Sequence, residues 1–268
     1  MARETSMSLL KHDARIHNNE LNAAIGLLAL AKGAKTNAAH VGPSSIGEPQ
    51  YHFEATQEED EDDEDKSLSE YADEIFENMR SSEKRMKPDP DYMSSYIDWS
   101  KRSMLIEWLV QVHERFDFSP QTLFLCVNYL DRFLSVKMID EERLQLVGAT
   151  ALFLAAKFEG DCLSLRDIVT LGKEAYSKKD VLQVERDFLR ELDCAMNWPG
   201  PMSFLNRVSK VDSYDVEICT LAKYFLETTI VDELFVAYVP SFLAAGAYCL
   251  ALLTLTEGGW VRCSTLCG

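Results

Sequence analysis

The chain has 268 residues, 47% of them hydrophobic, which is enough for one large domain or two smaller ones. Its net charge of −17 includes a block of eight acidic residues at positions 58–65, and no stripe of Lys and Arg is present that could hold a nucleic acid. The seven cysteines form no C-x-x-C pair and four of the five histidines precede residue 53, which argues against a zinc site and against histidine-based catalysis.

Residues 1–67 are predicted to form an N-terminal tail. They contain a stretch rich in Gly, Ser and Pro followed by the acidic block, and they show little periodicity. A weak amphipathic helix at 21–30 is the one ordered element that we expect there. No secretory signal is visible, and the unpaired cysteines are typical of a reducing intracellular compartment.

Beyond residue 68 the sequence predicts one helix after another, and no segment alternates regularly enough to form a strand. Ser69 is placed to cap the first helix, and Ser119, followed by a proline, is placed to cap a later one. Between them, one apolar helical face is predicted from Met104, Leu105, Trp108, Leu109 and Val112. The folded part is therefore predicted to be all-α.

A central helix is predicted from about residue 141 to 158. Its segment 145–156 (QLVGATALFLAA) carries no charge, and a helix that is apolar on every face is buried on every face. The helix ends abruptly at Lys157, which indicates a polar contact outside the core and a protein that works by docking. Two following segments, 164–167 (SLRD) and 177–180 (SKKD), resemble helix-capping boxes.

The same arrangement recurs about 95 residues later. Segment 122–134 is echoed by 220–232, and segment 149–160 by 244–255. Two tandem helical domains joined near residues 197–201 are the preferred interpretation, although buried helices also resemble one another without repetition. The apolar run at 239–256 contains proline, serine and threonine and lacks basic flanks, so we predict a buried helix and no membrane span.

Several long segments together resemble the cyclin box of cell-cycle cyclins. They are 101–116 (KRSMLIEWLVQVHERF), 127–135 (VNYLDRFLS), 144–159 (LQLVGATALFLAAKFE) and 176–193 (YSKKDVLQVERDFLRELD), while 215–252 resembles the second box of the mitotic, B-type group. The resemblance implies tandem cyclin boxes, each a bundle of five helices around a buried central one. The expected organisation is a disordered acidic tail (1–67), an N-terminal helix with the first box (68–198) and the second box (199–268).

The resemblance also implies a function. The chain would be a non-catalytic regulatory subunit, without cofactor or metal, that binds and activates a cyclin-dependent Ser/Thr protein kinase in G2/M or S-phase control, in the nucleus and cytoplasm. Two alternatives share the fold: a transcription factor with tandem cyclin-like domains, and a cyclin of a transcription kinase. The missing basic face and C-x-x-C pairs disfavour the first, and the B-type character of the second box disfavours the other.

A kinase-binding surface follows from the resemblance, position by position. Lys157 and Glu185 match residues that hold the kinase through charge-assisted hydrogen bonds. The apolar contacts would come from Phe158, Leu189, Met196, Tyr71, Ile75 and Phe76. Without the resemblance, Lys157 would be a solvated helix end and Glu185 a surface acid. Arg132 matches an arginine that belongs to the internal polar contacts of the fold.

A second surface matches the groove that receives short Arg-x-Leu peptides of substrates or inhibitors in S-phase and mitotic cyclins. Its residues would be Met104, Leu105, Trp108, Gln111, Leu144 and Gln145. Lys101 stands where the family usually has methionine, and Gln111 replaces an acid of the S-phase group, which weakens any preference for basic peptides. The alternative is that Met104, Leu105 and Trp108 belong to the core.

Three departures from the family pattern bear on these expectations. The ending VRCSTLCG matches nothing in the family, so we expect the second box to lack two helices and to expose Phe242, Leu243, Tyr248 and Leu252. The tail contains no destruction box, and the nearest candidate, 102–105, falls within a predicted helix. Gly160 and Asp161 stand where B-type members carry a second glutamate, followed by paired prolines.

Overall fold

A computed structural model of the chain describes residues 71–92, 98–173, 175–211 and 215–255. The predicted tail with its helix at 21–30, the cap at Ser69 and the final segment after Leu255 lie outside these residues. Within them, every regular element is a helix, as predicted. None of these helices is long and apolar enough to cross a membrane.

The chain divides into two compact units, Met1–Ser81 and Ser82–Gly268. The described part of the first unit is the beginning of α1 (Ala72–Arg85). Asp73 and Glu74 lie in the first turn of this helix and Lys84 and Arg85 in its last turn. This distribution of charge complements the helix dipole and stabilises both ends.

The second unit contains two helical bundles. The first bundle consists of α2 (Trp99–Phe116), α3 (Pro120–Val136), α4 (Glu141–Glu159), α5 (Leu165–Leu171) and α6 (Lys178–Glu191). The second bundle, in its described part, consists of α7 (Pro201–Val211), α8 (Val216–Thr229), a 3₁₀ turn (Glu233–Phe235) and α9 (Pro240–Leu255). The five helices of the first bundle match the number implied by the cyclin resemblance.

Helix α4 is the centre of the first bundle. It packs against α2, α3, α5 and α6, and every side chain from Leu146 to Ala156 is buried. Gly148 allows α2 to come close, because a Cβ at this position would lie 2.8 Å from Cδ1 of Leu105. The uncharged segment of the sequence therefore forms the predicted buried helix, which ends at Gly160 in the left-handed conformation with φ of 86°.

Helix α9 has the same role in the second bundle, where it packs against α7 and α8. Tyr248 and Leu252 are both 0% exposed. The expectation that these two side chains would be exposed is therefore wrong, because the packing of α9 encloses them. Phe242 and Leu243 are half-buried.

Two of the predicted helix caps are confirmed and one is corrected. The capping boxes at Ser164 and Ser177 are both formed, with aspartate three residues later closing each box. Ser119 occupies the cap position of α3, but its side chain makes no cap hydrogen bond. At this end of α3 the carboxylate of Asp161 accepts hydrogen bonds from the Ser119 backbone N–H at 3.2 Å and from the Thr122 hydroxyl.

Gly160 and Asp161, which depart from the B-type family pattern, therefore both have a structural role. The left-handed turn at Gly160 directs the chain away from the end of α4. Asp161 can then reach the beginning of α3, where its carboxylate binds Ser119 and Thr122 and interacts favourably with the helix dipole.

Candidate functional site

Lys157 and Glu185 meet at the surface of the first bundle, as the resemblance implied. The Nζ atom of Lys157, at the end of α4, lies 2.7 Å from Oε1 of Glu185 on α6. The Lys157 side chain is 53% exposed, whereas that of Glu185 is only 12% exposed. The carboxylate is thus held against the protein and the ammonium group faces outward.

The aromatic ring of Phe153 adds a second contact to Lys157. Nζ lies 4.8 Å from the ring centroid, within the range of a cation–π interaction. Phe153 is buried in α4 one turn before Lys157. The lysine therefore lies between a buried ring and a largely buried carboxylate, which restricts its orientation.

Apolar side chains lie along the same two helices. Phe158 follows Lys157 and is 50% exposed, which is unusual for a large aromatic side chain. Leu189 lies one turn after Glu185 on α6 and is half-buried. Met196 is also half-buried, and its carbonyl oxygen accepts a 2.6 Å hydrogen bond from the Tyr129 hydroxyl of α3.

The three remaining residues predicted for this function belong to the other unit. Tyr71 and Ile75 are exposed large hydrophobic side chains, and Phe76 is half-buried. Ile75 and Phe76 lie within α1, and Tyr71 immediately precedes it. An exposed apolar stripe on a helix is a common feature of partner-binding segments.

The residues predicted for the docking groove separate into two groups. Leu105 on α2 and Leu144 on α4 are buried, and the two helices pack against each other. Met104 is 58% exposed, and Trp108 is half-buried. The amide side chains of Gln111 and Gln145 are exposed.

The core interpretation of this segment is confirmed for Leu105, and the docking interpretation stays a prediction. Leu105 belongs to the core, as the alternative stated, whereas Met104 and Trp108 present apolar surface. Lys101, the unusual residue at this position, lies 2.5 Å from Oε2 of Glu141 through its Nζ atom. This ion pair connects the beginnings of α2 and α4 beside the groove.

A buried ionic contact was missed by the sequence analysis. Arg102 is 2% exposed and donates two hydrogen bonds of 2.8 Å, from Nε and Nη2, to the two carboxylate oxygens of Asp131. The hydroxyl of Tyr92 donates to the same carboxylate at 2.7 Å. Arg102 lies on the same face of α2 as the buried Ile106 and Leu109. A charged residue on an apolar helix face is the sequence signal that could have predicted a buried ionic contact.

The same arginine helps to join the two bundles. Nη1 of Arg102 donates to the carbonyl oxygen of Val231 at 3.3 Å, and the Ser103 hydroxyl donates to that oxygen at 3.1 Å. Val231 follows α8 of the second bundle. Arg132 is confirmed as an internal contact, since its Nη1 donates to the carbonyl oxygen of Ala195 at 2.9 Å.

Known protein families match most of the described chain. Residues 74–197 match the family "Cyclin, N-terminal domain", and residues 199–266 match "Cyclin, C-terminal domain". The second match includes all but the last two residues of the ending VRCSTLCG, so the expectation that this ending matches nothing in the family is wrong. A viral cyclin from herpesvirus saimiri has a similar structure, with a TM-score of 0.63 at 16% sequence identity, over 70% of this chain and 86% of the viral one. At this identity the structural similarity supports the fold alone.

Two fungal proteins are among the relatives of this chain. The chain is 42% identical over 94% of its length to G2/mitotic-specific cyclin-4 of Candida albicans, covering 53% of that protein. It is 47% identical over 72% of its length to G2/mitotic-specific cyclin-3 of Saccharomyces cerevisiae, covering 46% of that protein. The chain thus spans about half the length of these relatives.

Proposed function

We propose that this chain, which belongs to the cyclin family, is a regulatory subunit that binds and activates a cyclin-dependent Ser/Thr protein kinase. Two of its relatives are named as G2/mitotic-specific cyclins, and we assign cell-cycle control in G2/M or S phase to this chain, acting in the nucleus and cytoplasm. The matched ranges support a first box within 68–198 and a second within 199–268. We expect the subunit to contribute no catalytic group.

The observation that carries this proposal is the arrangement of Lys157, Glu185 and Phe158. An ammonium group has three N–H donors, and Lys157 uses one of them on Glu185. Glu185 orients the lysine, so that its other donors can bind carbonyl oxygens of a partner. The exposed ring of Phe158 next to it supplies an apolar anchor of the kind that dominates protein interfaces.

Activation follows from differential binding. A protein kinase is active only when the C helix of its N-terminal lobe is turned inward, so that its glutamate pairs with the lysine of strand β3. A surface that binds only the inward state shifts the kinase population toward it. Shifting the equilibrium from 1:99 to 99:1 requires about 5.5 kcal/mol of differential binding, which an interface with several apolar anchors can supply.

The groove supports a second part of the proposal, the recruitment of substrates or inhibitors through short Arg-x-Leu-type peptides. Met104 and Trp108 on α2 present apolar surface, and α2 packs against α4. A weak peptide site of this kind raises the local concentration of a substrate at the kinase.

The test uses purified chain and a purified cyclin-dependent kinase. We expect the double substitution Lys157→Ala and Glu185→Ala to weaken kinase binding by at least about tenfold and to abolish activation. The matched control is Lys137→Ala with Asp187→Ala, because this ion pair has a similar length, 2.8 Å, and joins the residue after α3 to α6. The control variant should bind within about threefold of the parent chain.

Two further measurements separate a loss of kinase binding from a loss of folding. Urea unfolding of both double variants shows whether either loses stability, and histone phosphorylation reports activation. If the Lys157/Glu185 variant binds and activates the kinase as well as the control variant does, the assignment of this surface is wrong.

A further inference from the structure

The segment that follows α6 turns sharply at two consecutive residues in the left-handed backbone conformation. Asp193 has φ of 50° and Cys194 has φ of 55°, and both residues are exposed. Residues other than glycine adopt this conformation rarely and at an energetic cost, so it persists only where neighbouring contacts hold it in place. The turn lies between Leu189 and Met196, two of the apolar residues predicted to contact the kinase.

The turn begins as the C-terminal cap of α6. The backbone N–H of Cys194 donates to the carbonyl oxygen of Leu189 at 2.9 Å. The backbone N–H of Asp193 donates to the carbonyl oxygen of Arg190 at 3.2 Å. These two bonds form the Schellman pattern, in which glycine usually occupies the position of Asp193. Leu189 is thereby joined through its own carbonyl group to the segment that leads to Met196.

Two side chains of α3 hold the other end of the turn. The Tyr129 hydroxyl donates to the carbonyl oxygen of Met196 at 2.6 Å, and Nη1 of Arg132 donates to a carbonyl oxygen one residue earlier, that of Ala195, at 2.9 Å. Tyr129 is 0% exposed, and burial raises the pKa of its hydroxyl, which therefore stays protonated and acts as a donor. The backbone of Met196 is thus attached to α3, while the residue itself is half-buried at the surface.

We propose that Tyr129 is a positioning residue for kinase binding: its hydroxyl fixes Met196 relative to Leu189, so that the two apolar side chains meet the kinase in one arrangement. This inference rests on the proposed function and adds a residue that is too deeply buried to touch the kinase itself. An interface that is ordered in advance loses less conformational entropy on binding. Removing one buried hydroxyl should therefore weaken a contact at the surface.

The experiment is a double-mutant cycle on kinase binding, with the purified full chain and a purified cyclin-dependent kinase. Met196→Ala should weaken binding by about five- to tenfold, and Tyr129→Phe by about threefold. In a chain that already carries Met196→Ala, Tyr129→Phe should change the affinity by less than about 1.5-fold, because the side chain that it positions is gone. In a chain with Lys157→Ala, Tyr129→Phe should keep its full effect, since Lys157 bonds to Glu185 and not to the turn.

Tyr176→Phe is the matched control for the loss of a hydroxyl group. Tyr176 lies between α5 and α6 and is 9% exposed, and its hydroxyl oxygen is buried without a hydrogen-bond partner among the residues that the structure describes. Its removal should leave kinase binding within about 1.5-fold of the parent chain. Urea unfolding of both Phe variants reports their stability, which distinguishes a general loss of folding from a loss of binding.

A second pair of variants tests the left-handed turn itself. Asp193 and Asp117 are both exposed aspartates in this conformation, with φ of 50° and 52°, but Asp117 ends α2. Valine is strained there, so Asp193→Val and Asp117→Val should destabilise the protein to a similar extent. Only Asp193→Val should weaken kinase binding, by about threefold, whereas Asp193→Gly should preserve it, because glycine adopts the conformation freely.

The proposal is overturned if Tyr129→Phe leaves kinase binding unchanged, or if it weakens binding equally with and without the Met196 side chain. The second result would assign the hydroxyl to the stability of the fold alone. Equal losses of binding in Asp193→Val and Asp117→Val would overturn it as well. A parent chain that binds no kinase contradicts the proposed function, whereas a parent chain that binds but is insensitive to Tyr129→Phe contradicts this inference alone.

Discussion

Glu83 and Ser241 are joined by two hydrogen bonds across 158 residues of sequence. The fully buried carboxylate of Glu83, in the last turns of α1, accepts from the backbone N–H of Ser241 at 2.9 Å and from its hydroxyl at 2.8 Å. Ser241 is the second residue of α9, the central helix of the second bundle. The N-terminus of this helix is therefore capped by a carboxylate from a distant part of the chain.

Replacement of Glu83 by alanine should destabilise the protein strongly. Two hydrogen bonds to a charged acceptor are lost and the first turn of α9 is left without its cap, so we expect a loss of about 3 kcal/mol in the free energy of unfolding. Glu83→Gln keeps one acceptor and should lose less. Urea unfolding measures both, and Glu77→Ala, an exposed residue of the same helix, should change stability by less than about 0.5 kcal/mol. Equal effects of Glu83→Ala and Glu77→Ala would contradict this role.

The buried pair of Arg102 and Asp131 should show strong energetic coupling. Asp131→Leu leaves a buried guanidinium group without its carboxylate partner, and Arg102→Met leaves a buried carboxylate with Tyr92 as its remaining donor. Each single substitution should cost about 3 to 5 kcal/mol of stability, whereas Arg102→Met with Asp131→Leu should cost clearly less than the sum. A double-mutant cycle by chemical denaturation measures the coupling. Additive losses would show that the two side chains do not depend on each other.

Asp187 should make the free energy of unfolding depend on pH at acidic pH. Burial acts to raise its pKa, but the hydrogen bond and positive charge of Lys137, with help from Gln183 and Arg190, lower the pKa below the ordinary value of 3.8. A group whose pKa is lowered in the folded state stabilises the protein above its unfolded pKa and loses this effect as pH falls through the folded value. The stability difference between the parent chain and Asp187→Asn should therefore shrink below about pH 3.8.

The direct measurement is an NMR titration of the Asp187 carboxyl group. Lys137→Met should move its pKa upward toward the ordinary value. Asp167, whose pKa is lowered by hydrogen bonds from Ser164, serves as a reference, because Lys137 is not among the causes and the same substitution should leave its titration unchanged. An unchanged Asp187 titration in Lys137→Met would show that the lysine is not responsible.

Gly148→Ala should destabilise the first bundle although alanine is the better helix former. The added Cβ would lie 2.8 Å and 3.0 Å from the two terminal carbons of Leu105, whose side chain is buried and has little room to move. We expect overpacking to exceed the gain in helix propensity, with a net loss of about 1 kcal/mol in the free energy of unfolding. In a chain that already carries Leu105→Ala, the same glycine substitution should become neutral or stabilising. A loss of the same size in both backgrounds would contradict the steric explanation.

Much of the fold could be predicted because helices are specified locally. The uncharged run before Lys157 predicted α4, and the Ser-x-x-Asp segments predicted the beginnings of α5 and α6, since these signals involve residues within one or two turns. The same reasoning failed at Ser119. The side chain that binds at this end of α3 is Asp161, and a contact across about 40 residues leaves no periodic trace in the sequence.

In the candidate site, too, local sequence patterns predict some features, whereas others depend on how the helices pack. Periodicity placed Met104 and Leu105 on one apolar face, yet the first is 58% exposed and the second 7% exposed. The periodic pattern predicts which residues share the apolar face of a helix. How far the neighbouring helix covers that face determines which of these residues are buried and which are exposed. Glu185 had no local signal at all, and its assignment came from the resemblance to cyclins.

The amino-acid sequence thus determines the all-α class, the two central helices and the end of the buried part of α4 at Lys157. Each of these follows from an i, i+3, i+4 pattern, which involves only residues close together in the sequence. The packing of the helices determines which distant charges meet: Lys157 with Glu185, Lys101 with Glu141, and Glu83 with the first turn of α9. Ionic and hydrogen-bonded contacts act over a few ångströms, so their partners depend on the arrangement of helices in space and not on spacing along the chain.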